Sequence, residues 1–280
     1  MSREVERPLT LVFVRHGYSY ANKVQEAAKK GDFSGYTEKF RKIGNSEMPL
    51  IEEGIEQAKT AGLWIKENIQ GGIFDEYYVS SFVRAIQTAG YLGLLPETKA
   101  WKYRDYLREQ SFGHLDRMTD LERREKYPEI MANKEIDPNY WSGLGGESRA
   151  DLTQRAKDGV NSLYRECVNG SGIIVTHGNT LWAFRTILEG LTWEQLAEID
   201  SRDNPLEKMN NCQVVQYTRT DPGNSNKTEE NFAWMRTVCP WDETLSRNDW
   251  VEIKRPKHSD KDLLKMAEAR IEVIKDRWKL

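Results

Sequence analysis

The chain has only four histidines, and two of them, His16 and His177, are each followed by glycine at the end of an apolar run. Thr10-Leu11-Val12-Phe13-Val14 leads into Arg15-His16-Gly17, and Ile173-Ile174-Val175-Thr176 leads into His177-Gly178. A third run, Tyr77-Tyr78-Val79-Ser80-Ser81, precedes Arg84 at the head of Ala85-Ile86-Gln87-Thr88-Ala89. Continuous runs of this kind read as strands buried on both faces. Ligands of open parallel sheets bind beyond the carboxyl ends of the strands. Those ends would gather Arg15, His16, Arg84 and His177, a set suited to a phosphate. Each guanidinium offers a planar fork that matches phosphate oxygens. At an effective dielectric of about 20, opposite charges ~4 Å apart attract by ~4 kcal/mol before desolvation is subtracted. Helix N-termini after Gly17 and Gly178 are expected to add backbone N–H donors, as at other anion sites.

These residues need elements to hold them. Ile51, Ile55, Ala58, Ile65 and Ile69 recur at helical spacing, as do Leu152, Ala156, Val160, Leu163 and Cys167 after the capping-box start Ser148-x-x-Asp151. Further helices are expected after Thr180 and from Thr192-x-x-Gln195, and a further strand at residues 213–217. Alternating strands and helices predict a three-layer α/β/α sandwich with a mainly parallel sheet. Residues 23–47 are polar and lysine-rich and fall outside this alternation. Residues 219–280 form a tail whose turn-like start, 221–226, precedes an amphipathic pattern of Leu263, Ala267, Ile271, Ile274 and Trp278. The expected organisation is a catalytic domain over 1–220 and a C-terminal extension over 221–280, its terminal helix packed on or covering that domain.

Composition narrows the function classes. Lys plus Arg number 41 and Asp plus Glu 44, a formal charge of −3, which argues against a general nucleic-acid binder. Aromatics make up 10% of the chain, too rich for disorder. No run approaches the roughly 18 apolar residues of a membrane span, and residues 1–8 lack an apolar signal-peptide core. Cys167, Cys212 and Cys239 are odd in number and widely spaced, which fits buried thiols better than disulfides or zinc. The expectation is a cytoplasmic protein without nucleic-acid or membrane partners. Its oligomeric state is left open.

The segment Arg15-His16-Gly17-Tyr18-Ser19-Tyr20-Ala21-Asn22 resembles the R-H-G-x-S-x-x-N signature of the histidine phosphatase superfamily. Five further segments resemble its motifs in the same order. They are Pro49-Leu50 with Gly54 and Gln57-Ala58; Ser80 to Ala89; Leu107-Arg108-Glu109-Gln110-Ser111-Phe112-Gly113; Gly146-Glu147-Ser148; and Val175-Thr176-His177-Gly178-Asn179. The resemblance runs over about residues 9–217 and implies a phosphoglycerate mutase-like fold. It implies His16 as the nucleophile that becomes phosphohistidine, with its second ring nitrogen held by an acceptor. It further implies Arg15, Arg84 and His177 as phosphoryl ligands and Glu109 as the acid that protonates the leaving oxygen. Ser19, Asn22, Gly17, Gly178 and Asn179 are the expected substrate-binding residues. The implied activity is metal-independent hydrolysis of a small phosphorylated metabolite or nucleotide, with no cofactor. The stretch Leu107 to Asp116 looks more like the phosphatases than the glycolytic mutases, whose phosphoryl transfer is the alternative.

The chain departs from the pattern at Tyr18, where many members carry Glu, at Ser81 in place of Pro, and at Ile51 in place of a helix-capping Ser or Thr. Two readings from other classes stay open. One is a metallohydrolase, which no H-x-E, H-E-x-x-H or H-x-H spacing supports. The other is a non-catalytic phosphate binder on the same fold. His114 and His258 are expected to face solvent.

Overall fold

A computed structural model describes residues 7–202 and 204–278. The strands are β1 (Thr10–Arg15), β2 (Glu76–Val79), β3 (Trp101–Tyr103), β4 (Ser171–Thr176), β5 (Val214–Thr218), β6 (Thr220–Asp221), β7 (Asn224–Thr228), β8 (Trp234–Val238) and β9 (Arg247–Glu252). The helices are α1 (Tyr20–Lys29), α2 (Glu38–Lys42), α3 (Glu52–Asn68), α4 (Val83–Leu92), α5 (Asp120–Lys126), α6 (Pro128–Ile136), α7 (Arg149–Glu166), α8 (Gly178–Glu189), α9 (Trp193–Ser201) and α10 (Asp260–Trp278).

The main sheet runs β3-β2-β4-β1-β5-β8-β9. The pairs β2–β3, β2–β4 and β1–β4 are parallel, and β5, β8 and β9 join on antiparallel pairings. Five of the seven strands therefore share one direction. Side chains alternate along each strand, so β1 divides its burial between two cores. Leu11 and Phe13 pack with Leu152, Ala156, Val160 and Leu163 of α7 and with Leu181 and Phe184 of α8. Val12 and Val14 pack with Ala58, Ala61 and Ile65 of α3 and with Ala85 and Ala89 of α4. One helical layer on each face makes the three-layer sandwich. Continuous apolar runs read correctly as buried because both faces are covered.

The helix starts follow local chemistry. Ser148 caps α7 in a reciprocal box with Asp151, and Thr192 caps α9 with Gln195. Ile51 precedes α3 and supplies no side-chain cap, as its residue type dictates. Instead Glu52 and Glu53 sit in the first turn of α3, where the helix dipole favours acids.

The extension departs from expectation in two ways. The boundary at 220/221 does not separate two folding units: β8 pairs with β5, β9 pairs with β8, and Phe232 and Met235 enter the main core. Charged and exposed residues such as those of β9 carry no apolar run, so pattern reading passes over them. The terminal helix does not bury its apolar face against the domain. Leu263, Leu264, Ile271, Val273 and Ile274 of α10 are 49–65% exposed. An ion pair between Arg270 and Glu194 of α9 ties it to the fold. The last firm anchor lies earlier, where Arg255 donates to the carbonyls of Leu188 and Phe232.

Ending the chain after His258 should leave the melting temperature within about 3 °C, since little surface is lost. Ending it after Thr220 should abolish cooperative folding by stripping β8 from β5. Calorimetry of the two truncations checks both, and a large loss from the shorter deletion would contradict the exposed placement of α10.

Candidate active site

Strand register brings the two histidines together. In the parallel β1–β4 pair, Arg15 lies opposite Thr176. The next residue of each strand is a histidine, so His16 and His177 meet with ring centroids 5.1 Å apart. Val79 lies opposite Val175 in the adjacent β2–β4 pair, which brings Ser80 to His177. Arg84 follows one turn into the same crossover, on the first turn of α4. His16, His177 and Arg84 are all buried, and Arg15 is nearly so.

The partners of the His16 ring place its proton. His16 Nδ1 lies 2.8 Å from the Gly17 carbonyl, an acceptor only, so Nδ1 carries the hydrogen. Arg84 Nε–H donates to His16 Nε2 at 3.1 Å, which requires a lone pair there. Ser80 Oγ accepts from the Phe82 amide and lies 2.8 Å from His177 Nε2. The Ser80 hydroxyl can fill either role toward that nitrogen, and when it donates the hydrogen of His177 sits on Nδ1. His177 Nδ1 and Arg15 Nε are both buried and have no hydrogen-bond partner among the described residues. Buried polar groups are almost always hydrogen-bonded. An oxyanion in the cleft would satisfy both.

Electrostatics agree with this assignment. Burial, then Arg84 and Arg15, hold the His16 pKa well below its ordinary 6.5. Burial, then Arg84, His16 and Arg15, do the same for His177. Burial also lowers the Arg84 guanidinium to about 10, which leaves it charged at neutral pH. Neither Arg15 nor Arg84 makes an ion pair among the described residues. Arg15 is steadied by the Met209 carbonyl and Arg84 by the carbonyl and side chain of Asn45.

Glu109 sits across the cleft, half-buried. Its Oε1 accepts from the amides of Gln110 and Thr180 and from Thr180 Oγ1, at 2.9, 3.3 and 3.3 Å. Its Oε2 lies beside Gly178, where an added Cβ would come within 3.9 Å of it and 3.5 Å of Arg15 Nε. One carboxylate oxygen thus orients the group and the other is left toward the arginines. A half-buried ion-pair cluster holds the loop that carries Glu109. Glu147 receives Arg155 in a bidentate fork at 2.8 Å and Arg108 at 2.9 Å. Burial works against its charge, but the Arg155 fork prevails and its carboxyl stays below the usual range. Arg155 also donates to the carbonyls of Tyr106 and Arg108, on either side of Leu107.

The remaining expected site residues divide. Ser19, Asn22, Gly178 and Asn179 line a cleft of about 480 Å³ together with Arg15, His16, Arg84 and Glu109. Ser19 also caps α1, and Asn22 Oδ1 accepts from Ser19 and from Asn211. Gly17 is a correction. Its amide goes to Thr88 Oγ1 at 3.0 Å, and the amides of Tyr18, Ser19 and Tyr20 go to Gln57, Asn22 and Pro49. The amides of residues 17–20 are therefore all engaged, whereas α8 begins directly at Gly178 and leaves the amides of Gly178 and Asn179 without a partner among the described residues, that of Thr180 going to Glu109. Gly17 serves close packing instead: a Cβ on it would lie 2.3 Å from the Gly54 carbonyl. Tyr18 turns away and donates to Glu26 at 2.7 Å.

Two contributors were missed, Ser80 and Asn211. Ser80 orients His177. Asn211 Nδ2 donates to the His16 carbonyl at 3.0 Å, and its own carbonyl accepts from Trp241 of the extension. Gln25, Tyr36, Phe40 and Asn45 bring residues 25–45 to the cleft wall. The Asn210-Asn211 pair before a β-branched strand is a turn signal, but nothing local says that the turn backs a histidine. His114 is exposed and lies outside the cleft, and all three cysteines are free and buried. Among the described residues no cluster of three or more His, Cys, Asp or Glu could hold a metal, and no helix is long and apolar enough to cross a membrane.

The chain is similar to known proteins. The sequence profile of the histidine phosphatase superfamily (branch 1) matches residues 11–223. A 2,3-bisphosphoglycerate-dependent phosphoglycerate mutase of Treponema denticola is 28% identical, over 69% of this chain and 83% of its own length. Such a mutase of Latilactobacillus sakei is 27% identical, over 68% and 88%. Among solved structures, a putative α-ribazole-5′-P phosphatase of Escherichia coli superposes with a TM-score of 0.58 at 18% identity, covering 80% of this chain and 96% of that one. A mycobacterial glucosyl-3-phosphoglycerate phosphatase superposes with a TM-score of 0.54 at 20% identity, covering 81% and 96%. At these identities the structural likeness speaks for the fold.

The histidine pKa values give a pH prediction. Both folded-state values lie below the unfolded 6.5, so the unfolded chain takes up protons first. Stability should therefore fall as the pH drops below about 6.5, by up to about 1.4 kcal/mol per pH unit for each ring. Denaturant titrations between pH 7.5 and 5 should show this slope, reduced in His16→Gln and again in His16→Gln/His177→Gln. An unchanged slope in the double variant would show that the rings are not held neutral.

Proposed function

The chain belongs to the histidine phosphatase superfamily (branch 1), and from that membership we propose that it hydrolyses a small phosphomonoester through a phosphohistidine on His16. The observation that carries this reading is the state of the His16 ring. It is buried and neutral, with Nδ1–H tied to Gly17 and the Nε2 lone pair turned to Arg84. A neutral imidazole with its tautomer fixed is what nucleophilic attack on phosphorus needs.

In the first step Nε2 forms a bond to phosphorus as the bond to the ester oxygen breaks. The arriving phosphoryl group takes over the Arg84 Nε–H that meets Nε2, and Arg15 Nε–H and His177 Nδ1–H gain the acceptor they lack. Charge developing on the phosphoryl oxygens is thus met by donors already in place, which is the main source of catalysis in such transfers. The leaving oxygen takes a proton from Glu109 at Oε2. In the second step water attacks phosphorus, Glu109 recovers a proton from it, and the N–P bond breaks to return His16 to its neutral state.

The curated relatives are named mutases, which favours a second reading in which the phosphoryl group returns to another oxygen of the same molecule. Release of inorganic phosphate equal to substrate consumed supports hydrolysis, and isomerisation without release supports transfer.

His16→Ala should lower turnover of p-nitrophenyl phosphate by at least about 10⁴-fold with the fold intact. Glu109→Gln should slow alkyl phosphates by about 10²–10⁴-fold and p-nitrophenyl phosphate far less, because the nitrophenolate leaves without a proton. Rapid acid-free quenching should trap a phosphoenzyme that is labile to acid and stable to base, lost in His16→Ala. A phosphoenzyme with the opposite lability would point to an ester on a hydroxyl and overturn the reading.

A further inference from the structure

Arg15 and His16 are held from behind by one short turn, residues 209–213. The Met209 carbonyl accepts from Arg15 Nη1, and the Gln213 carbonyl accepts from the Arg15 amide at 3.1 Å. The His16 carbonyl takes two donors, Asn211 Nδ2 at 3.0 Å and the Cys212 amide at 3.3 Å. Asn211 Nδ2 also donates to Asn22 Oδ1 at 3.2 Å, which joins the turn to α1. The position of the His16 peptide, and so the point from which its ring reaches toward phosphorus, is therefore set by this turn.

The turn is under strain. Cys212 sits at φ 50°, in the left-handed region that L side chains rarely adopt. Conformations of this kind persist only where the surrounding structure over-determines them. Inside the turn, the Asn210 amide donates to Gln213 Oε1 at 2.6 Å, and the Asn210 carbonyl accepts from the Gln213 amide at 3.2 Å. A further tie comes from the extension: Trp241 Nε1–H donates to the Asn211 carbonyl at 2.6 Å. Strand register delivers it. Val238 of β8 lies opposite Val214 of β5, so the residues after β8 run alongside those before β5. The loop that carries the indole is braced by its own bonds, the Cys239 amide donating to Ser246 Oγ at 2.8 Å and the Asp242 amide to the Cys239 carbonyl at 3.0 Å. Trp241 lies beyond residue 223, where the match to the superfamily ends, and it is not among the residues that line the cleft.

We propose that Trp241 is a positioning residue for the nucleophile: its indole N–H pins the Asn211 peptide, and Asn211 and Cys212 pass that constraint to the His16 carbonyl. This inference rests on the phosphohistidine reading of His16 and gives the extension a part in that reaction. Trp241→Phe keeps an aromatic ring in place and removes the donor. Asn211 is buried, so its carbonyl is left without this partner and the turn relaxes away from His16. Misplacing a reacting group by about 1 Å costs on the order of 10²-fold in rate. One lost bond in a turn held by several moves it by less.

Turnover of p-nitrophenyl phosphate by the full chain tests it in wild type, Trp241→Phe, Asn211→Ala, the double variant and Trp250→Phe. Trp241→Phe should lower kcat about fivefold, with KM within about twofold and the melting temperature within about 3 °C of wild type. Asn211→Ala should lower kcat by about tenfold or more. Because Trp241 acts through Asn211, adding Trp241→Phe to Asn211→Ala should cost less than about twofold further. Trp250 is a second indole of the extension, stacked on Arg236 and outside the cleft lining. Its replacement by Phe should leave kcat unchanged. An unchanged kcat in Trp241→Phe, a fivefold loss that persists in the Asn211→Ala background, or an equal loss in Trp250→Phe overturns the inference. Wild-type turnover tests the underlying reading separately. Should it be absent, the His16 ring nitrogens report instead. Their ¹⁵N NMR signals, assigned by their loss in His16→Gln, should shift in Trp241→Phe and stay in place in Trp250→Phe. Signals that do not move in Trp241→Phe overturn the positioning role.

Discussion

Two guanidinium groups and two imidazoles lie side by side, largely buried, at the ends of β1 and β4 and the start of α4; among the described residues no carboxylate is within ion-pair distance of either arginine, and Glu109 faces both from across the cleft. Burying charge is costly, by several kcal/mol per ion even after relaxation. The fold accepts this arrangement because backbone and side-chain carbonyls of Met209 and Asn45 solvate the arginines and because both imidazoles stay neutral. Much of the surrounding structure serves that accommodation. Thr88, Gln57 and Asn22 absorb the amides of residues 17–19, so the loop after His16 presents a carbonyl, not an N–H, to Nδ1. An amide in its place would impose the other tautomer and turn the proton-bearing nitrogen toward phosphorus.

How far this was legible follows from where the information lies. Apolar runs specify the strands around His16, Arg84 and His177 because two-sided burial leaves a mark on every residue of the run. The capping boxes at Ser148 and Thr192 specify helix starts because their hydrogen bonds span three residues. Parallel register then follows from the two buried faces, and with it the meeting of His16 and His177. Ser80, Asn211 and Trp241 act across 97, 195 and 30 residues of chain separation, with no periodic trace in the sequence. Exposed β9 and the three-residue β3 lack the apolar alternation on which pattern reading depends. The unused donor expected after Gly17 fails for a related reason: the residue type permits an anion site, but its amide had already been claimed by Thr88, 71 residues away.

The parts of the chain outside the regular alternation meet at the cleft by different means. Residues 23–47 fold onto a small apolar centre of Val24, Phe40 and Met48 and are riveted to residues 115–123 by the reciprocal bonds of Arg41 and Arg117. The extension reaches the site more indirectly, through Trp241 on the carbonyl of Asn211. One segment therefore shapes the wall that a ligand touches, and the other stiffens the loop behind the nucleophile. Loops set on a rigid sheet are where specificity is free to vary, because their residues carry little of the core.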